Sequence, residues 1–512
     1  MPFFDFHLHP SLKPQMSDPS AFPSPWEQVV LRFANPDIIT ALLKCSGINE
    51  VVDSQASLSQ LTEAGMNLIA IALHPPESNM MRDALIKKIA AEEQTSFINL
   101  ARVNAIASGD IYYQMLKEEM NNLQTHLQQS GKQLKIISNM NQYNADDLNT
   151  VHAVLNVEGP HAFYGQRTGR STAQIIATFH ANFEEFTAAH KIFALNIAHL
   201  QDNDFCNHAF GIQIFKPKPF FPVKNGITQE GIDLVQKMQA KNILVDIKHT
   251  SLFARQQLYG IGLHGQAWPL VCTHAGLTGI PSSERGRYFL SARSIPDGFL
   301  RVRHFKPIGY LEGTSFNACS INLYDDDVVE LINNGGMIGL SMDQRILGTP
   351  DELMMSPDFL EDFYEEEVIS PGEKEFFRGV PRPDVDDMKI LKRENIRPED
   401  RTNAPLFHAR HFMNQLFHLF NIADKHGISK DLLATRICIG SDFDGMINPV
   451  DCCKNVTGLQ AFKDLLLEHF TDWETEFVTN NGIRVSAVMP PGQLFDRIFY
   501  QNGVDYLRTR LV

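Results

Sequence analysis

Met1-Pro2-Phe3-Phe4-Asp5-Phe6-His7-Leu8-His9 opens the chain, an aromatic run that leads straight into two histidines spaced two apart. A short, continuously apolar run reads as a strand buried on both faces, as in a parallel sheet. Residues i and i+2 of a strand point to the same side, so His7 and His9 face one way as a chelating pair. Similar runs recur along the chain. Segments rich in Val, Ile, Leu and Phe occupy 3–6, 68–73, 151–157, 193–198, 243–247, 270–273, 337–342 and 437–441, separated by helix-like stretches. Helical crossovers force neighbouring strands parallel, and eight in series can close into a barrel with no exposed edge. The expected fold is therefore α/β, a TIM-type (β/α)8 barrel. No glycine-rich dinucleotide fingerprint follows the first run, which disfavours an open doubly wound sheet. With His7 so near residue 1, no half of a β-sandwich is expected ahead of the barrel.

The 512 residues, 43% hydrophobic and 21% charged, have the composition of a globular protein, and the whole of 1–512 reads as one domain. A net charge of -15 argues against nucleic acid or an anionic membrane surface as partner. Seven scattered cysteines without CxxC spacing fit a reducing compartment, and no secretory or lipid-anchor signal is recognisable, so a cytoplasmic location is expected.

Loops after the strands of such a barrel form its catalytic face. Long ones are expected at 10–38, 200–226 and 275–320. A fourth, at about 348–405, is an acidic insertion around Glu365-Glu366-Glu367, read as a solvated flap or an oligomer contact. A helical extension is expected at about 455–512.

Chemistry gathers where the runs end. His7 and His9 close the first, Glu158 the third, His199 the fourth, His249 the fifth, His274 the sixth and Asp442 the eighth. Among 19 histidines one HxH pair means little, and a hydrogen-bonded, half-buried histidine is the bland alternative at any single position. Chance does not put all of them at the same end of successive strands. Imidazoles with carboxylates suit zinc or a similar divalent ion, and a carboxylate can bridge two. Two ions about 3.5–4 Å apart would lower the pKa of a shared water toward neutrality, supplying a hydroxide nucleophile. Asp442 is then left as the proton carrier.

These motifs resemble the membrane dipeptidase (renal dipeptidase, peptidase M19) family of the amidohydrolase superfamily. The resemblance runs along nearly the whole chain: Asp5-Phe-His-Leu-His9, Val157-Glu-Gly-Pro-His161, Leu195-Asn-Ile-Ala-His199, Asn225-Gly-Ile-Thr228, Leu244-Val-Asp-Ile-Lys-His-Thr-Ser251, Thr273-His274 and Ile439-Gly-Ser-Asp-Phe-Asp-Gly445. It implies two divalent metal ions, zinc first among the choices. His7 and His9 would hold one, His249 and His274 the other, and Glu158 would bridge them. It also implies that His199 stabilises the tetrahedral oxyanion, that Asp442 moves a proton from water to the leaving amine, and that the substrate is a small molecule, a dipeptide or other small amide. Asp444 is expected to shape its loop. A homodimer stays open as the assembly.

This chain departs from the family pattern twice. His9 stands where the family usually has Asp, removing one negative charge. The arginine that holds the dipeptide carboxylate falls at Ile321 if the helix before the seventh strand starts at Asn322. Arg293, in the similar stretch Ala292-Arg-Ser-Ile-Pro-Asp297, is the candidate replacement for substrate binding, with a surface ion pair as its bland alternative. The loss of Ile321's counterpart keeps a second enzyme reading open: an amidohydrolase acting on a non-dipeptide amide, a lactam or an ester. A non-catalytic barrel scaffold is the third reading, disfavoured because every ligand-type position is filled.

Overall fold

All eight apolar runs form strands. In the computed structural model, which describes residues 2–30, 51–92, 98–210, 221–261, 269–349, 364–377, 389–390 and 403–511, they are β1 (Phe3–Leu8), β2 (Met66–Leu73), β3 (Thr150–Val157), β4 (Ile192–Asn196), β5 (Leu244–Asp246), β6 (Leu270–Ala275), β7 (Ile338–Leu340) and β8 (Ile437–Ile439). Each pairs in parallel with the next, in chain order. The ring closes between its ends: the His9 amide donates to the Phe443 carbonyl and the Asp442 amide to the His7 carbonyl, each at 2.9 Å. The architecture is the TIM-type (β/α)8 barrel.

Alternation along the strands divides two buried layers. In β2, Leu68 and Ala70 join Phe4, Phe6, Val154 and Val271 in one cluster, while Ile69, Ile71 and Leu73 pack into another with the surrounding helices. Val504, Tyr506 and Leu507 of the helix Asn502–Arg510 also belong to the first cluster. The helix Thr172–Ala189 shows how the outer layer is held. Ser171 caps it in a capping box with Gln174, and Phe179, Phe183 and Phe186 are buried on one face. Burying each such ring stabilises the fold by about 1.5–3 kcal/mol.

No β-sandwich accompanies the barrel among the described residues. A separate three-stranded antiparallel sheet joins Phe289–Ser294, Leu300–Phe305 and Tyr364–Ile369. It corrects the reading of the acidic run as a solvated flap. Glu365, Glu366 and Glu367 lie in the strand Tyr364–Ile369, beside a basic neighbour. Lys306 pairs with Glu365 at 2.6 Å, Arg301 with Glu366, and Arg285 with Glu367. Glu367 is fully buried; burial opposes its charge, but Arg285 and His304 outweigh that and bring its pKa down to about 2. Arg301 meets the run from the neighbouring strand, and Lys306 and Arg285 meet it from outside the sheet. Much of the rest of 348–405, together with 31–38 and 211–220 of the other long loops, lies outside the described residues. No described helix is long and apolar enough to cross a membrane.

Candidate metal centre

Seven of the eight singled-out side chains converge at the carboxyl ends of the strands. His7 sits in β1 and His9 just beyond it, Glu158 directly follows β3, and His274 is the penultimate residue of β6. His199, His249 and Asp442 each lie three residues past their strands. His249 and Asp442 adopt left-handed backbone, with φ of 64° and 65°. That conformation costs a non-glycine residue about 1–2 kcal/mol, and it persists because both ends are tied down: the His249 carbonyl accepts from the Ala209 amide, and the Asp442 amide donates to His7. Strain of this kind marks positions where side-chain direction matters.

The Glu158 carboxylate is the hub. Its Oε1 lies 3.4 Å from His7 Nε2, 3.4 Å from His199 Nε2, 3.2 Å from His249 Nε2 and 3.5 Å from His274 Nε2; its Oε2 lies 3.4 Å from His9 Nε2. The imidazoles fall into two pairs, with Nε2 of His7 and His9 3.1 Å apart and Nε2 of His249 and His274 3.1 Å apart. Asp442 borders both, its Oδ1 3.3 Å from His9 Nε2 and its Oδ2 3.8 Å from His274 Nε2.

Protonation favours ligation at three of the four paired imidazoles; at His7 burial lowers the pKa, but the neighbouring Glu158 charge outweighs it and raises it. Burial, reinforced by neighbouring imidazoles, holds His9, His249 and His274 well below the usual histidine range, so they are neutral. Glu158 is held well below the usual carboxylate range because His199 and His7 outweigh the cost of its burial. Burial and the adjacent Glu158 charge push Asp442 up to about 7, the range in which a group can both take and return a proton near neutrality. Around His7 the hydrogen bonds select a tautomer. Thr273 Oγ1 contacts Asp246 Oδ2 and lies 2.8 Å from His7 Nδ1. With the hydroxyl donating to Asp246, it accepts from Nδ1–H, which leaves the His7 Nε2 lone pair facing Glu158. Asp444 works on the loop: its oxygens accept from the amides of Gln55 and Ala56, each at 2.8 Å, and it pairs with Lys13.

Arg293 does not join the cluster. It lies exposed on an outer strand of the three-stranded sheet, in register with Arg301, and is absent from the cavity wall. The cations that line the cavity are Lys248 and Arg345. The cavity spans about 650 Å³ including the solvent at its mouth.

Sequence reading passed over two strand ends. His74 directly follows β2, and Asp343 lies three residues past β7; reading one residue beyond the runs 68–73 and 337–342 would have found both. Every barrel strand thus delivers an acid-base or ligand-type residue to one end. Glu77, reached through Pro75-Pro76, had no sequence signal: its Oε1 binds His199 Nδ1 and its Oε2 lies 3.3 Å from His74 Nε2. A further buried group, His304, Cys319 and Glu367, lies apart from the barrel mouth, but Arg285, His304 and Ser320 already take the Glu367 oxygens.

No protein-family model matches the chain, and no characterised protein matches it by sequence. In three dimensions it is similar to a solved metallopeptidase of family M19 described as dipeptidase AC, at 13% identity and a TM-score of 0.47, covering 100% of this chain and 99% of that one. It is also similar to a metallopeptidase from Rhodobacter sphaeroides liganded with a phosphinate mimic of the dipeptide L-Ala-D-Ala, at 14% identity and a TM-score of 0.45, covering 100% and 99% of the two chains. A third neighbour is the probable dipeptidase PvdM from Pseudomonas aeruginosa, at 12% identity and a TM-score of 0.44, covering 90% and 89%.

Proposed function

We propose that this chain is a metal-dependent hydrolase of dipeptidase type that cleaves a small amide bond. The observation that carries the reading is the convergence of four Nε2 atoms, from His7, His199, His249 and His274, within 3.5 Å of one buried carboxylate oxygen. Among the described residues that oxygen, Glu158 Oε1, has no hydrogen-bond partner, an arrangement costly for a buried anion and suited to a cation between it and the rings. The donor set fits two divalent ions, zinc among them. His7 and His9 would hold one, His249 and His274 the other, with Glu158 shared. Bound there, the ions would supply Lewis acidity and lower the pKa of water to near neutrality.

The chain's own groups do the rest. Asp442 accepts a proton from the attacking water and returns it to the leaving nitrogen, so the amide gains one water and the side chain ends as it began. His199, held at Nδ1 by Glu77, presents Nε2 to the substrate carbonyl oxygen as charge builds on it. His9 in place of a carboxylate removes one negative charge from the site, which favours ions that accept nitrogen-rich ligation.

Two measurements test this. Elemental analysis of protein purified without added metal is expected to find about two divalent ions per chain, a count taken from the two imidazole pairs; no stoichiometric metal and no activity after reconstitution would leave a scaffold. Hydrolysis of L,L and L,D dipeptides is then compared with that of their C-terminal amides. Equal rates with and without the free carboxylate would remove the dipeptidase reading and leave the wider amidohydrolase one, which the exposed position of Arg293 favours.

A further inference from the structure

Among the charged groups of the cavity, Lys248 is unlike the rest. It lies between β5 and His249, is 2% exposed, and lines the cavity beside Glu158, His249 and Asp442. An ammonium has three donors. One goes to the Ile321 carbonyl at 3.1 Å, and among the described residues Asp442, Asp343 and Glu158 act on the Nζ only at a distance. Buried cations are ordinarily paired, because removal from water is costly unless a counter-charge replaces the solvent. Arg345, the other cation on the wall, is already matched: both Nε and a terminal nitrogen bind Asp343. Lys248 therefore presents a nitrogen with donors to spare, at the edge of a cavity whose other walls include Leu12, Met16, Met80, Met81, Met446 and Ile447.

We infer that Lys248 binds an anionic group of the substrate, a carboxylate, beside the cluster of Glu158 and the histidines. Resting on the hydrolase reading, this narrows the substrate to a small amide that bears a carboxylate at one end and an apolar side chain for the methionine-lined wall. A dipeptide has that form, and so does an N-acyl amino acid. The alternative role, a cation that merely balances Glu158, Asp442 and Asp343 at a distance, would not distinguish a substrate with a carboxylate from one without.

The test uses the full chain loaded with zinc, and pairs of probes that differ in one group: a dipeptide and its C-terminal amide for turnover, and a phosphinate dipeptide mimic and its C-terminal amide for calorimetry. Wild type is expected to bind the free-carboxylate mimic about 10- to 100-fold more tightly, the range for a hydrogen bond to a charged group. Lys248→Met is expected to abolish that preference, raising KM for the free dipeptide by a similar factor. Lys248→Arg, which keeps the charge, is expected to retain part of it. A preference that survives in Lys248→Met overturns the inference and leaves the hydrolase reading standing. Absence of turnover on every amide overturns the hydrolase reading, and the calorimetric pair still decides on Lys248. Equal affinity of wild type for the two mimics overturns the inference even if Lys248→Met does not fold.

Discussion

Glu77 grips His199 by its Nδ1 while the same carboxylate accepts from the Leu200 amide at 3.3 Å and faces His74 Nε2 at 3.3 Å. His199 is thereby oriented from the side away from Glu158, and its Nε2 is the nitrogen turned to the metal-ligand cluster. Glu77→Gln keeps the shape and removes the charge. It is expected to lower kcat about 100-fold or more with little change in KM, since ring orientation matters most as charge develops. Metal content should stay at the wild-type level; loss of metal would make Glu77 a ligand.

Asp442 is proposed as a proton carrier that borders the ligands without being one. Asp442→Asn is expected to reduce turnover by about 100- to 10,000-fold, the span of general acid-base catalysis. Elemental analysis of the variant should find the same metal content as wild type. Metal loss in this variant would assign Asp442 to the ligand set.

Gly440 tests how closely the barrel supports the centre. A Cβ there would sit 1.8 Å from the Thr273 carbonyl oxygen, and one at Gly339 would sit 1.9 Å from the same atom. Backbone cannot swing aside as a side chain can. Gly440→Ala is expected to cost about 1–3 kcal/mol by overpacking, read as a lower denaturant midpoint. Because Thr273 also contacts His7 Nδ1, metal affinity should fall with it. An unchanged midpoint would contradict the packing.

His411 gives a pH signature away from the centre. Its Nδ1 donates to the Phe407 carbonyl at 3.0 Å and its Nε2 accepts from the Ser315 amide at 3.3 Å, so the native ring is neutral. Burial pushes its pKa down from 6.5 to about 3. The unfolded ring takes up a proton below about 6.5 and the native ring does not. The stabilisation is therefore complete above that pH and is lost as pH falls toward 3, by about 1.4 kcal/mol per unit. Unfolding titrations at pH 7, 6 and 5 should show a slope that is smaller in His411→Gln than in wild type by this one group's share, about 1.4 kcal/mol per unit. Parallel pH profiles for the two proteins would refute it.

Much of the architecture was legible in the sequence because buried parallel strands are apolar throughout. Their eight runs stand out from the helical stretches without any partner being known. The residue types that end those runs were legible for the same reason, since a strand's direction determines which end meets the catalytic face. Glu365 to Glu367 were misread because charge runs are ordinarily solvated, and nothing local reveals that Arg285, Arg301 and Lys306 cross the gap to meet them.

The sequence by itself determined the barrel, its single active face, and the supply of imidazoles and carboxylates at that face. Tertiary structure decided which of them meet: that Glu158 becomes the hub, that His74 and Glu77 stand behind His199, that Arg293 turns to solvent, and that Lys248 lines the cavity. The division has a physical reason. Periodicity and burial are local properties carried by neighbouring residues, whereas a distance between side chains more than 100 residues apart depends on how every intervening strand and loop closes the ring.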